Sequence, residues 1–114
     1  MEIITDKISV AKLKEMADKM FGNLVKAVVD TRKEIMAIDG ELHADEQALL
    51  LENGSKQENL WGINIYLDKS GEDFVEFDSV INIRPSQQNR SRSVDNPEIK
   101  KKLLEIVNKL VEGR

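Results

Sequence analysis

Cysteine is absent from this chain. That excludes a disulfide framework, a thiolate zinc site and a cysteine nucleophile, and it fits a reducing compartment. No apolar stretch approaches the ~18 residues that a membrane span needs. The opening residues, Met1-Glu2-Ile3-Ile4-Thr5-Asp6, lack the basic start and apolar run of a signal peptide. The expectation is a soluble cytoplasmic protein with no membrane partner. The glycines form neither a phosphate loop nor a dinucleotide fingerprint, and no serine has the context of a nucleophile elbow. Repeats, low-complexity tracts and long linkers are missing too. Positive charge is not in excess: the net charge is -4, with 33% of residues charged. That argues against broad coating of DNA or RNA, where phosphate neutralisation supplies most of the affinity. Acids gather in 39–78 and bases in 84–102, which places a positive pole on an acidic molecule.

At 114 residues the chain fits one α+β domain over 1–114 and can bury a core without metals or disulfides. A short strand opens it at Glu2 to Thr5. Ser9 then has the chemistry of a helix N-cap, with Ile8 and Leu13 as a hydrophobic staple. Leu13, Met16, Ala17 and Met20 follow at helical spacing, and Gly22 supplies the stop, so a helix is predicted over Val10 to Phe21. Leu24 to Thr31 and Glu34 to Ile38 read as strands joined at Thr31-Arg32-Lys33. Asp39-Gly40 is a hairpin signal, which predicts a short returning strand over Glu41 to Ala44. Asp45 to Asn53 reads as a helix capped by Asp45 and ended by Gly54, with a strand through Leu49-Leu50-Leu51 as the rival.

Leu60 to Leu67 is predicted as a strand, with Ile63, Ile65 and Leu67 on one face and Gly62, Asn64 and Tyr66 on the other. Phe74 to Arg84 is predicted as the longest strand and its antiparallel partner. The last helix has Asn96 as N-cap, Pro97 at its first position, and a stripe of Ile99, Leu103, Ile106, Val107, Leu110 and Val111. The expected architecture is a mostly antiparallel sheet of five to six strands, covered on one face by two long helices and a short one.

The segments Gly40-Glu41-Leu42-His43-Ala44-Asp45-Glu46, Gly54 through Asn64 and Ile81-Asn82-Ile83-Arg84-Pro85-Ser86 through Arg92 carry a resemblance over nearly the whole chain. They resemble a family of short prokaryotic proteins of unknown function. The resemblance implies a stand-alone prokaryotic cytoplasmic protein and brings with it no activity, ligand or catalytic residue.

The residues themselves offer three candidate sites. The first is the stretch after the predicted long strand, where Arg84, Arg90 and Arg92 are interleaved with Ser86, Asn89, Ser91 and Ser93. Guanidinium forks and inward-turned backbone N–H groups can hold a phosphate or carboxylate. The competing reading is that the arginines pair with the chain's own acids. The second is the polar sheet face, where Asn64, Tyr66 and Asn82 can orient a polar ligand, or simply meet solvent. The third is His43, which with Asp45, Glu46 or Glu41 can supply a base or a carboxylate metal site. One histidine without cysteine disfavours zinc, and a strand-end histidine is more often structural. No resident metal or cofactor is expected. Trp61 is read as core packing before a stacking platform, and Lys100, Lys101 and Lys102 as a solvated face.

Three functions compete on these residues. One is a binding module for an anionic, phosphate- or nucleotide-like small molecule or a short RNA element. The second is a phosphate-handling or carboxylate-metal enzyme using His43, Asp45 or Glu46. The third is a protein-interaction or homo-oligomer module.

Overall fold

The computed structural model describes residues 1–114. The elements run β1 (Glu2–Ile4), β2 (Ile8–Ser9), α1 (Val10–Lys19), β3 (Leu24–Asp30), β4 (Ile35–Ile38), α2 (His43–Glu52), β5 (Leu60–Tyr66), β6 (Val75–Glu76), α3 (Pro97–Leu110) and β7 (Val111–Glu112). Five strands form one antiparallel sheet in the order β1-β4-β3-β5-β6. The other two, β2 and β7, form a separate parallel pair, with Ile8 opposite Val111. No helix is long and apolar enough to cross a membrane.

The composition of β3 decides how the layers stack. Val25, Ala27 and Val29 lie on one side of it and Val28 on the other, and all four are buried. A central strand with apolar residues on both sides needs cover on both. The larger core therefore joins Val25, Ala27, Val29, Ile63 and Ile65 to Leu13, Met16 and Ala17 of α1 and to Leu103, Ile106, Val107 and Leu110 of α3. Burial of each large aliphatic there is worth roughly 1.5–3 kcal/mol. A smaller core on the opposite face joins Val28, Ala37 and Leu60 to Leu50 of α2, with Ile81 packed against it. The sheet is thus covered on both faces, not on one. Its helices span 10, 10 and 14 residues, not two long and one short.

The helix ends follow local chemistry. Ser9 Oγ accepts from the Lys12 N–H at 3.1 Å, and Asn96 Oδ1 accepts from the N–H groups of Glu98 at 2.8 Å and Ile99 at 3.4 Å. The first two strands of the predicted meander, β3 and β4, are present; the third is not. Asp39 turns with a left-handed φ of 68°, but the chain then enters α2 at His43 instead of returning as a strand at 41–44. The outer edge of β4 is already taken by β1, with Glu2 opposite Ile38, so a returning strand has no place to pair. The N-cap of α2 is Leu42, which offers no capping side chain, and Asp45 falls within the first turn.

The strand predicted over 74–84 is also corrected. Only Val75 and Glu76 pair with β5. Beyond them the chain makes two 3-10 turns, Val80–Asn82 and Pro85–Gln87, and straps across the sheet. Alternate residues of β5 turn their peptide groups outward, and side chains from the strap meet them. The Asn82 carboxamide accepts from the Gly62 N–H at 2.8 Å and donates to the Gly62 carbonyl at 3.0 Å, as a neighbouring strand's peptide would. Two residues earlier the Leu60 carbonyl accepts from Arg84. The strap lies close enough that a Cβ at Gly62 would sit 2.6 Å from that of Ser79.

Candidate functional site

Arg84, Arg90 and Arg92 do not converge. Arg84 is buried, with its guanidinium 4.0 Å from the Trp61 ring centroid. Its two terminal nitrogens each donate at 2.5 Å, one to the Gln57 carbonyl and one to that of Leu60. Burial pulls its pKa below the usual arginine value, yet arginine remains charged at any physiological pH. Arg92 stands half exposed and donates from Nε to Asp78 Oδ1 at 2.6 Å. Arg90 is exposed, and its backbone N–H donates to Asp95. Ser86 is exposed in the turn after Arg84.

The polar side chains predicted to orient a ligand are spent largely on the chain itself. Asn82 holds Gly62 and also donates to the Arg92 carbonyl at 3.0 Å. Asn89 donates to the carbonyls of Asn82, Ser91 and Ser93 and accepts from the Asp95 N–H. Asn64 and Tyr66 both donate to Glu76 Oε1, at 2.8 and 3.0 Å. The face predicted to be open at this end of the sheet lies under the strap.

A different juxtaposition has free donors. The start of α2, the strap and β3 enclose a cleft of about 220 Å³. Three basic side chains line it: Lys26 from β3, His43 from α2 and Arg92 from the strap. Leu42, Val80 and Ile81 supply apolar wall. Lys26 forms no ion pair; its ammonium lies 5.0 Å from the Phe21 ring centroid. Arg92 uses only Nε on Asp78, which leaves its two terminal nitrogens to donate elsewhere. The backbone adds two donors. Leu42 gives no side-chain cap, and the N–H groups of His43 and Ala44 meet no acceptor in the chain. Such a helix end presents N–H groups and the positive end of the helix dipole together.

His43 is 9% exposed, and its Nε2 lies 2.8 Å from the Ile63 carbonyl oxygen. A carbonyl only accepts, so Nε2 carries the hydrogen in the neutral ring and Nδ1 keeps its lone pair. Nδ1 has no protein partner. Burial holds the pKa of His43 below its usual value. The hydrogen bond to Ile63 opposes this, Lys26 reinforces it, and Asp78 and Arg92 add smaller opposed effects.

The carboxylates expected to work with His43 lie apart from the cleft. Asp45 lines a separate depression with Met1, Ala48 and Glu52. Glu46 is fully buried, and its Oε2 accepts from the Gly40 N–H at 3.0 Å while Oε1 has no partner. Burial, aided by Asp39 and opposed by the Gly40 N–H and Lys26, pushes its pKa up to about 9. A carboxyl that is neutral at pH 7 is a poor metal ligand. No three acid or histidine side chains gather as a metal site would require. A larger depression, about 550 Å³, lies before α3 beside Gln87, Gln88, Asp95 and Glu98. It has acids rather than bases, and the α3 end is already capped by Asn96.

Of the cleft residues, His43 and Arg92 were recognisable from sequence as chemistry-bearing types. Lys26, Ser79 and the α2 backbone were not. The one available signal was Lys26 itself, an ammonium in a valine-rich strand. No curated protein and no solved structure matches the chain. Residues 2–110 match the model of a family described as a protein of unknown function, DUF5674, and the chain belongs to that family.

Proposed function

We propose that the protein is a binding module for a small anionic ligand, phosphate- or carboxylate-bearing, seated at the start of α2. The observation that carries this reading is the uncapped helix end, with two free N–H groups, at a cleft whose lining holds two cations, Lys26 and Arg92, and the imidazole of His43. Helix ends of this kind favour anions, and two cations close by add to the attraction. The site keeps Arg92 and His43 from the sequence-level candidates and moves the centre from the arginine segment to α2. Leu42 and Val80, 55% and 63% exposed, give the ligand's other end an apolar surface. A volume of about 220 Å³ suits a phosphate or carboxylate with a short attachment better than an RNA element.

The test is a titration with inorganic phosphate followed by backbone amide NMR. The His43 and Ala44 amides are expected to shift together and to saturate. Lys26→Gln is expected to weaken binding about tenfold, the loss of one charge-assisted contact. Affinity for sulfate, whose charge is constant over this range, is expected to rise as the pH falls below 6.5, because the anion favours the imidazolium form of His43. Amides at 43 and 44 that stay in place at saturating phosphate would refute the reading.

A further inference from the structure

The cleft also contains a nucleophile. We propose that Nδ1 of His43 accepts a phosphoryl group from an acyl phosphate, making His43 a phosphohistidine site. The inference rests on the anion-binding reading of the same cleft, and it adds a covalent step. Three features of the ring carry it. The ring is nine-tenths buried, so its orientation is set by packing. Nε2 is tied to the Ile63 carbonyl, so the reactive lone pair is on Nδ1 and on no other ring atom. The residue is the first of α2, so its own N–H and that of Ala44 have no acceptor in the chain, and both residues line the same cleft.

The chemistry balances without a base. The Nδ1 lone pair attacks phosphorus and the N–P bond forms. The bond from phosphorus to the acyl oxygen breaks, and its electron pair leaves with the carboxylate. No proton moves: Nε2 keeps its hydrogen on the Ile63 carbonyl, and the ring takes a positive charge next to the transferred dianion. Phosphoryl transfer depends mainly on positioning and on neutralising the three equatorial oxygens. The free N–H groups, the Lys26 ammonium and the terminal nitrogens of Arg92 are donors of the kind this requires. Burial keeps the imidazole neutral at pH 7, the form that attacks.

The experiment uses the whole wild-type chain and acetyl phosphate as the donor. His43 is the only histidine, so any phosphohistidine maps to it. Labelling is read as one added phosphoryl group by mass, lost in acid and retained in alkali. Phosphorus–proton NMR identifies the nitrogen. A parallel reaction uses the chain unfolded in urea. The expected result is an Nδ1 adduct forming at least about tenfold faster in the folded chain, a barrier difference of ~1.4 kcal/mol. No adduct, an Nε2 adduct, or a folded rate no faster than the unfolded one would overturn the proposal. The phosphate titration separates the two readings. Amide shifts without labelling leave anion binding standing and remove the transfer, whereas an absence of both removes both.

Discussion

Arg84 donates to two main-chain carbonyls, so its removal strands two acceptors as well as the face of Trp61. Hydrogen bonds from a charged donor are worth about 1.5–3 kcal/mol each, and a stranded acceptor carries its desolvation cost besides. Arg84→Ala is therefore expected to destabilise the fold by roughly 2–4 kcal/mol in urea titration. Arg90→Ala, at an exposed side chain in the same segment, should stay within ~0.5 kcal/mol. An equal loss in both variants would mean that the Arg84 contacts contribute little. Arg84→Lys should recover only part of the stability, because a point ammonium cannot reach both carbonyls as a fork does. Composition marked these arginines as recognition groups, but it could not say which would turn inward. That outcome depends on two carbonyls, of Gln57 and Leu60, that are distant in sequence.

Elements whose boundaries are set by neighbours in sequence were readable from the chain. Ser9 and Asn96 cap the helices they were expected to cap, and Gly22, with a φ of 88°, follows α1. Elements decided by distant competition were not. Asp39-Gly40 looks like a hairpin, but β1 had already occupied the edge of β4. Val75, Phe77, Ile81 and Ile83 alternate as a strand would, yet the ladder ends at Glu76 because the side chain of Asn82 replaces the backbone. The candidate site failed to show for the same reason. His43 and Arg92 line one cleft only because the strap, held on β5, also packs against α2. The strap offers its own test. Gly62→Ala would bring a Cβ to within 2.6 Å of Ser79 Cβ, so either the strap lifts or β5 shifts. Amide exchange should accelerate over 79–93, with little change in α3. Protection that stays unchanged across the strap would show that it absorbs the methyl without moving.

For the molecule as a whole, pH dependence follows from two buried groups that act in opposite directions. Glu46 has its folded pKa raised from 4.5 to about 9, so the folded chain retains a proton that the unfolded chain releases. Its contribution to stability is complete below pH 4.5 and is lost as the pH rises toward 9. His43 has its pKa lowered from 6.5, so its contribution is complete above 6.5 and is lost as the pH falls below that value. Above pH 6.5 only Glu46 acts, and the melting temperature should decline steadily from pH 7 to 9. Glu46→Gln removes that slope. Relative to wild type it should gain roughly 2–4 kcal/mol between pH 5 and pH 8. Parallel melting curves for the two proteins across that range would show that the Glu46 carboxyl ionises freely in the fold. The pairing of β2 with β7 sets a different condition on the whole chain. Ile8 and Ser9 wait for Val111 and Glu112, and no nearer segment serves as their partner. During synthesis, when chains emerge N-terminal end first, this clasp stays open until residue 112 has left the ribosome. A ribosome-stalled chain halted before that point should therefore resist protease less well than the released protein.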